Sequence, residues 1–110
     1  MGFQALEIAM KAAAGLKPVL VTIKAEDRDL WDQGYRALKS VVLNVAEGGK
    51  RGGKDRGYHF RIAAGSAAEL RAALQLAVTF DFVSAERVAP IDALLDRELA
   101  MLYRLEHPKP

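Results

Sequence analysis

The stretch NVAEGGKRGGKDRG, residues 44–57, decides the fold because two pairs of glycines interrupt a strongly helical pattern there. Helices commonly end at glycine, so Gly48, Gly49, Gly52 and Gly53 are expected to stop a second helix and turn the chain into a third. Residues 48–54 also read G-x-x-x-x-G-K, the first part of a phosphate-binding P-loop. The stretch therefore has three interpretations: a nucleotide site, a nucleic-acid contact or a plain turn.

The surroundings of the glycines argue against nucleotide hydrolysis. A P-loop requires Ser or Thr after its lysine to hold magnesium, and a strand before its loop. Here Asp55 follows Lys54, and the preceding segment RALKSVVLNVAEG has helical spacing. What remains is a simple connection, or a basic turn that contacts phosphates without catalysis.

On both sides of the turn, apolar residues recur every three or four positions, which indicates amphipathic helices. The third helix is expected from about residue 54 to residue 79. The inward-facing positions are Leu30, Ala37, Leu38, Val41 and Val45 on the second helix and Phe60, Ala63, Ala67, Leu70, Leu74 and Ala77 on the third.

Two further helices complete the chain. Asp27 or Asp29 is expected to cap the second helix and Ser84 the fourth, while Pro18 is expected to bend or break the first. The inward positions are Leu6, Met10, Ala13, Leu16, Leu20 and Ile23 on the first helix and Val88, Ile91, Leu95, Leu99, Leu102 and Leu105 on the fourth. Short connections predict one all-α domain over residues 1–110, an antiparallel up-down-up-down four-helix bundle.

The composition restricts the function classes. In 110 residues, hydrophobic types make up 51% and cysteine is missing, so a buried core is expected and disulfides and thiolate chemistry are excluded. No run approaches the roughly 18 apolar residues of a membrane span, and the start of the chain lacks a secretion-signal pattern. His59 and His107 are the only histidines. Asp55 and His59 at i and i+4 are a weak metal signal, and the pattern favours a surface or interface histidine. We expect a cytoplasmic protein without a membrane partner, metal or cofactor.

Positive charge is concentrated beside the glycine turn. The formal net charge is only +2, but residues 50–61 hold five basic side chains and one acidic side chain. Such a patch favours contact with phosphates. The candidate nucleic-acid-binding residues are Lys50, Arg51, Lys54, Arg56 and Arg61.

A polar line runs along the second helix, where Ser40, Asn44 and Glu47 fall at i, i+4 and i+7. The line could face water, form a hydrogen-bonded layer between packed helices, or be catalytic. Because no second acid, neighbouring histidine or metal-ligand spacing accompanies Glu47, we expect no catalysis. Possible partners for that carboxylate are Arg36, Arg61 and Arg71.

The third helix carries a strip of small residues, Gly65, Ala68 and Ala72, with Ser66 and Glu69 beside it. A glycine inside a helix costs about 1 kcal/mol relative to alanine. We therefore expect another helix to cross closely at this strip.

Two segments, QGYRALKSVVLNVAEGGKR and FRIAAGSAAEL, make the chain resemble the four-helix-bundle proteins encoded within 23S rRNA intervening sequences. The accessory variability determinant of diversity-generating retroelements belongs to the same superfamily. The residues that match the family pattern are Gln33, Arg36, Ala37, Ser40, Asn44, Ala46, Glu47 and Gly48 on the second helix and Ile62, Ala63, Gly65, Ser66, Glu69 and Leu70 on the third. The chain differs at Val42, where many members have Pro, and at Tyr58 and His59, which replace a frequent Arg-Phe pair.

The resemblance implies a cytoplasmic bacterial four-helix bundle that assembles into a ring, usually a homopentamer. It also implies that the Asn and Glu of the motif are structural or line subunit contacts. In the retroelement branch, a basic surface is thought to meet nucleic acid and a reverse transcriptase. The first functional hypothesis is therefore a non-catalytic, ring-forming accessory protein that binds RNA or DNA, and the alternative is a protein-interaction scaffold without nucleic acid.

Overall fold

The computed structural model describes residues 2–109, with side chains from residue 4 onward, and every regular element in that range is helical. The four helices are α1 (Gly2–Glu26), α2 (Arg28–Lys50), α3 (Gly53–Thr79) and α4 (Ala85–Glu106). Each helix packs against the next, and α4 packs against α1. Because the connections are so short, consecutive helices run in opposite directions and form an elongated bundle of 45 × 22 × 19 Å. The predicted all-α bundle is confirmed.

Side-chain caps set the starts of two helices. Asp27 accepts a hydrogen bond from the Leu30 amide at 2.9 Å, and Ser84 accepts one from the Arg87 amide at 3.2 Å. Both caps satisfy amide groups that have no partner within the first turn of a helix. Of the two aspartates predicted as alternatives, Asp27 is the cap. At α3, Gly52 occupies the cap position and provides no side-chain bond.

The predictions for α1 need two corrections. Pro18 does not break the helix, which continues to Glu26. Pro18 is exposed, so the hydrogen bond that it cannot donate is missing on the side open to water. Met10, predicted to face inward, is 53% exposed, whereas Ala9 and Ala12 are buried. Since α1 is apolar over most of its circumference, its spacing alone does not indicate which side faces the core.

The core consists of two clusters, one in each half of the bundle. Every inward position predicted for α2 and α3 is buried, which confirms both stripes. The aliphatic cluster lies toward the α1–α2 and α3–α4 connections and includes Leu16, Val19, Leu20, Ile23, Leu30, Leu38, Leu70, Leu74, Ile91 and Leu95. The alanine cluster lies toward the glycine turn and consists of Ala5, Ala9, Val41, Val45, Phe60, Ala63, Ala67 and Leu102.

The glycine turn is shorter than predicted. Gly48 and Gly49 belong to α2, which ends at Lys50, so these two glycines do not stop the helix. Gly48 is buried, and a Cβ atom there would lie 2.6 Å from Cε1 of Phe60. Gly48 therefore makes room for the Phe60 ring, and the second glycine pair makes the turn, with Gly53 at a φ of 61°.

Glu98 of α4 is the buried charged residue that the hydrophobic pattern missed. It is 0% exposed and lies between Leu95 of the aliphatic cluster and Leu102 of the alanine cluster along the inner face of α4. Neither carboxylate oxygen has a hydrogen-bond partner among the described residues. Burial raises the pKa of Glu98 from 4.5 to about 7, because the charged form is disfavoured away from water.

No helix among the described residues combines the length and apolarity that a membrane crossing requires.

Candidate functional site

Two members of the predicted polar line of α2, Ser40 and Asn44, form a hydrogen-bonded layer against α3. The Ser66 hydroxyl donates to the Ser40 hydroxyl at 2.7 Å, and the Asn44 amide nitrogen donates to the Ser40 carbonyl and hydroxyl at 2.9 and 3.3 Å. These side chains are half-buried, so the bonds satisfy polar groups between two packed helices. Of the three interpretations, the structure therefore supports the interhelical layer for Ser40 and Asn44, but not for Glu47.

His59 extends this layer, which we call the polar ladder: Ser66, Ser40, Asn44 and His59. The Nδ1 atom of His59 lies 2.9 Å from Oδ1 of Asn44. Because the amide nitrogen of Asn44 is used on Ser40, its oxygen faces the ring, and Nδ1 must carry the hydrogen. The sequence does hold a signal for this pair, since positions 44 and 59 are nearly equidistant from the turn at residues 51–52 in antiparallel helices.

Glu47 does not pair with any of the three arginines considered from the sequence. Its Oε2 atom accepts a hydrogen bond from Nε of Arg51 at 3.0 Å and lies 2.9 Å from Nη2 of the same side chain, four residues further along the chain. This hydrogen bond and the charge of Arg51 lower the pKa of Glu47. The pairing is a local one, as is common at i and i+4 on an exposed helix face.

The other three arginines bond to different carboxylates. Arg36 lies 3.6 Å from Asp32 within α2, and Arg61 of α3 bonds Glu106 of α4 at 2.9 Å. Arg71 makes two bonds to Asp92, at 2.8 and 2.9 Å, and a third to Asp96 at 3.2 Å. The contacts of Arg61 and Arg71 hold α3 against α4, and the bonds from Arg71 lower the pKa of Asp92.

All five predicted cationic residues lie at one end of the bundle, which we call the basic end. This end comprises the glycine turn, residues 47–61, together with the end of α4, residues 103–109. Arg51 and Arg61 are paired with carboxylates, and Arg56 lies over the Phe60 ring, 5.0 Å from its centroid. Lys50 and Lys54 are exposed and form no ion pair within the described residues.

The end of α4 contributes residues that sequence reasoning missed. Arg104 and Glu106 line a groove together with Arg56 of α3. Nearly fifty residues separate these positions in the chain, and only the antiparallel packing of α3 and α4 brings them together. A local motif cannot reveal such a grouping.

The opposite end of the bundle has the reverse charge, and we call it the acidic end. It consists of residues 24–32 and 79–87, which hold six acidic and three basic side chains, whereas residues 47–61 and 103–109 hold seven basic and three acidic ones. The two ends of a bundle 45 Å long therefore carry net charges of opposite sign.

The small-residue strip of α3 is open. Gly65, Ala68 and Ala72 are exposed, and a Cβ atom at Gly65 would meet nothing within 4 Å. The close crossing expected there is therefore not made within the chain.

The remaining motif residues are also accessible. Glu69 is exposed beside the strip, and the exposed Gln33 side chain donates to Asp29 at 3.4 Å. By their helical spacing, the α2 residues of the motif share the edge that faces α3, namely Gln33, Arg36, Ser40, Asn44 and Glu47.

The chemistry available at these sites is hydrogen bonding and charge. Within residues 2–109, no group of three or more His, Asp or Glu side chains could hold a metal ion. The accessible groups are guanidinium and ammonium ions around the glycine turn and a ladder of hydroxyl, amide and imidazole groups on the α2–α3 face.

The chain was compared with known protein families, curated proteins and solved structures. A family model described as "23S rRNA-intervening sequence protein" matches residues 4–104. No curated protein and no solved structure gave a match.

Proposed function

The chain belongs to the 23S rRNA-intervening sequence protein family, and we propose that it is a non-catalytic, ring-forming accessory protein that binds nucleic acid through its basic end. The proposal places it in the bacterial cytoplasm, in keeping with a composition that lacks cysteine. The observation that carries the proposal is the separation of charge along the bundle.

The charge separation supports phosphate binding more strongly than the net charge does. A net charge of +2 gives weak attraction overall. When the cations lie at one end and the acids at the other, the local field at the basic end is strong enough to orient the molecule toward a polyanion. Lys50 and Lys54 are the cations best placed for this contact, because both are exposed and free of carboxylate partners among the described residues.

Ring formation is the second part of the proposal, and its expected form is a homopentamer. The open strip at Gly65 and the exposed motif residues Gln33, Arg36 and Glu69 give the α2–α3 face a surface that a second copy can cover. A cyclic assembly turns all copies the same way, so five basic ends would share one rim. Binding several phosphates on one rim multiplies a weak individual contact.

A gel-shift or fluorescence-anisotropy titration at two salt concentrations tests nucleic-acid binding. We expect the triple variant Lys50→Ala, Arg51→Ala, Lys54→Ala to lose binding and to flatten the dependence of affinity on salt, because fewer counterions are released. The matched control neutralises Lys11, Lys17 and Arg97, which are exposed away from the basic end. Equal binding by the triple variant and the wild type would refute the assignment.

Light scattering tests the ring. A homopentamer would have five times the mass of the 12.0 kDa chain. We expect Gly65→Arg to reduce the mass while circular dichroism stays helical, because a long side chain would prevent a close helix crossing. Gly65→Ala serves as the control, since its Cβ meets nothing within the chain. An unchanged mass for Gly65→Arg would show that the small-residue strip does not lie in a subunit interface.

A protein-interaction scaffold is the second candidate function. It is favoured by the pairing of Arg51 with Glu47 and of Arg61 with Glu106, which uses two of the five cations inside the chain. In that case the ring would present its turns to a partner protein, a reverse transcriptase being one candidate. A captured partner that persists through nuclease treatment and high salt would favour the scaffold over nucleic-acid binding.

A further inference from the structure

An open groove between α3 and α4 lies at the basic end and has a volume of about 580 Å³. Its charged side chains are Lys54, Arg61 and Glu106, and its rings are those of Tyr58 and His107. A Cβ atom placed on Gly53 or Gly57 would meet nothing within 4 Å, so the backbone at both residues is open to a ligand. The groove thus combines cations, flat rings and accessible backbone.

The rings of the groove are exposed. Tyr58 is 54% exposed. On the other wall, the His107 ring lies 4.2 Å from that of Tyr103, which is itself 63% exposed. Large exposed aromatic side chains outside the core are typical of surfaces that bind flat ligands. Every nucleic-acid base has a flat face that can stack on such a ring, so this contact does not depend on the nucleotide sequence.

The carboxylate of Glu106 makes this groove chemically different from a site that binds phosphate alone. Arg61 holds it at 2.9 Å, and the side chain of Glu106 is 18% exposed. A carboxylate repels phosphate but accepts hydrogen bonds from the amino groups on base edges. Lys54, which has no carboxylate partner in the described range, is the group suited to phosphate.

We infer that this groove binds unpaired nucleotides of a single-stranded nucleic acid, with a base stacked on Tyr58, Glu106 accepting from a base edge and Lys54 contacting phosphate. The inference rests on the proposed function and names the form of nucleic acid that the basic end takes. A duplex keeps its bases stacked on one another, so it cannot offer a face to Tyr58. The bases of a single strand can turn outward and reach the ring.

Fluorescence anisotropy with labelled 15-nucleotide strands tests the inference on the full-length chain. The probes are single-stranded RNA and DNA of one sequence and the corresponding duplexes. We expect single strands to bind more tightly than duplexes, and Tyr58→Ala to weaken single-strand binding roughly fivefold or more with an unchanged salt dependence. Tyr58→Phe should bind like the wild type because it keeps the ring. Tyr35→Ala, which removes an exposed tyrosine outside the groove, is the second control.

The outcomes separate this inference from the proposed function. A preference for RNA, for DNA or for neither strand type supports the inference as long as single strands exceed duplexes and depend on the Tyr58 ring. Tighter binding of duplexes, or unchanged binding by Tyr58→Ala while the Lys50, Arg51, Lys54 triple variant loses binding, would overturn the inference and leave the proposed function intact. If the wild type binds none of the four probes, both fail.

Discussion

The two ends of the bundle differ inside as well as outside. Toward the acidic end the core is the aliphatic cluster, in which leucine, isoleucine and valine side chains from all four helices interlock. Toward the basic end the core is the alanine cluster, in which Phe60 is the one buried aromatic ring among four alanines, two valines and a leucine. The charged surface that we propose to be functional thus lies over the half whose packing depends on the fewest large side chains.

The difference shows how one short chain can divide two tasks. Large branched side chains bury the most apolar area, so the aliphatic half supplies most of the hydrophobic stabilisation. Small side chains let helices approach closely, and in the other half α2 and α3 are near enough for hydroxyl groups to bond across them at 2.7 Å. The stable half acts as a support, and the closely packed half positions polar groups.

The largest effect is expected at Phe60. Phe60→Ala should lower the free energy of unfolding by about 3–5 kcal/mol, because a fully buried ring leaves a cavity that neighbouring alanines cannot fill. Leu74→Ala makes the matched change in the aliphatic cluster, where larger neighbours can partly close the gap. Chemical denaturation measures both, and a greater loss for Leu74→Ala would contradict the expectation that the alanine cluster depends on this one ring.

The junction between the halves should respond to pH through Glu98. Its folded-state pKa of about 7 lies above the ordinary 4.5, so the folded protein binds the proton more tightly than the unfolded chain. The stabilisation is complete below about pH 4.5 and is lost as pH rises through 7. From pH 5 to pH 8 the free energy of unfolding should fall by roughly 2 to 3 kcal/mol.

Denaturation of Glu98→Gln at the two pH values checks this expectation. The variant has no carboxyl to titrate, so its stability should change much less between pH 5 and pH 8. The lowered pKa values of Asp92 and Glu47 place their effects at more acidic pH, outside this window. Parallel pH profiles for the wild type and the variant would show that Glu98 is not the group responsible.

Two neighbouring glycines give a sharper test of the packing around Phe60. Gly48→Ala should destabilise by about 1–3 kcal/mol, because its Cβ would lie 2.6 Å from an aromatic ring that is itself buried. Gly49→Ala should be neutral or stabilise by up to about 1 kcal/mol, since nothing lies within 4 Å and alanine favours helix. Thermal melts of both variants suffice. Equal effects would mean that the ring can move aside.

The smallest expected effect concerns the ion pairs between α3 and α4. Arg71→Gln should cost about 1 kcal/mol, since three hydrogen bonds to two aspartates are lost at a partly exposed site. Arg61→Gln, at the basic end, loses one exposed pair and should cost less. Because the folded pKa of Asp92 is lowered from 3.8, the contribution of Arg71 should disappear as pH falls below that range. A larger loss for Arg61→Gln would place the stronger link at the basic end.

The bundle was predictable where polar residues mark the outer face of a helix. The inward stripes of α2 and α3 follow from their spacing, because charged residues oppose them. The prediction that Met10 faces the core was wrong because both faces of α1 are apolar. Asp27 and Ser84 were predictable as caps because their chemistry is local.

The candidate site was less predictable because it depends on packing between distant segments. Glu98 lies at the spacing of the inward stripe of α4, three residues after Leu95 and four before Leu102, but a carboxylate is ordinarily expected at the surface. Its burial follows from the packing of the neighbouring helices around α4. Glu47 and Arg51 lie at i and i+4, a spacing that favours a local ion pair. The sequence prediction named only partners farther away in the chain. Arg104 and His107 join the glycine turn only because α4 ends where α3 begins.

The polar ladder also has a use for spectroscopy. His59 donates from Nδ1 to Asn44, and His107 donates from Nδ1 to the carbonyl of Tyr103 at 3.0 Å, so the same ring nitrogen makes the hydrogen bond in both side chains. These are the only two imidazoles of the chain, and both lie at the basic end. Their nitrogen and ring-proton resonances are therefore built-in NMR reporters of that end, and a molecule arriving there would shift them without any introduced label.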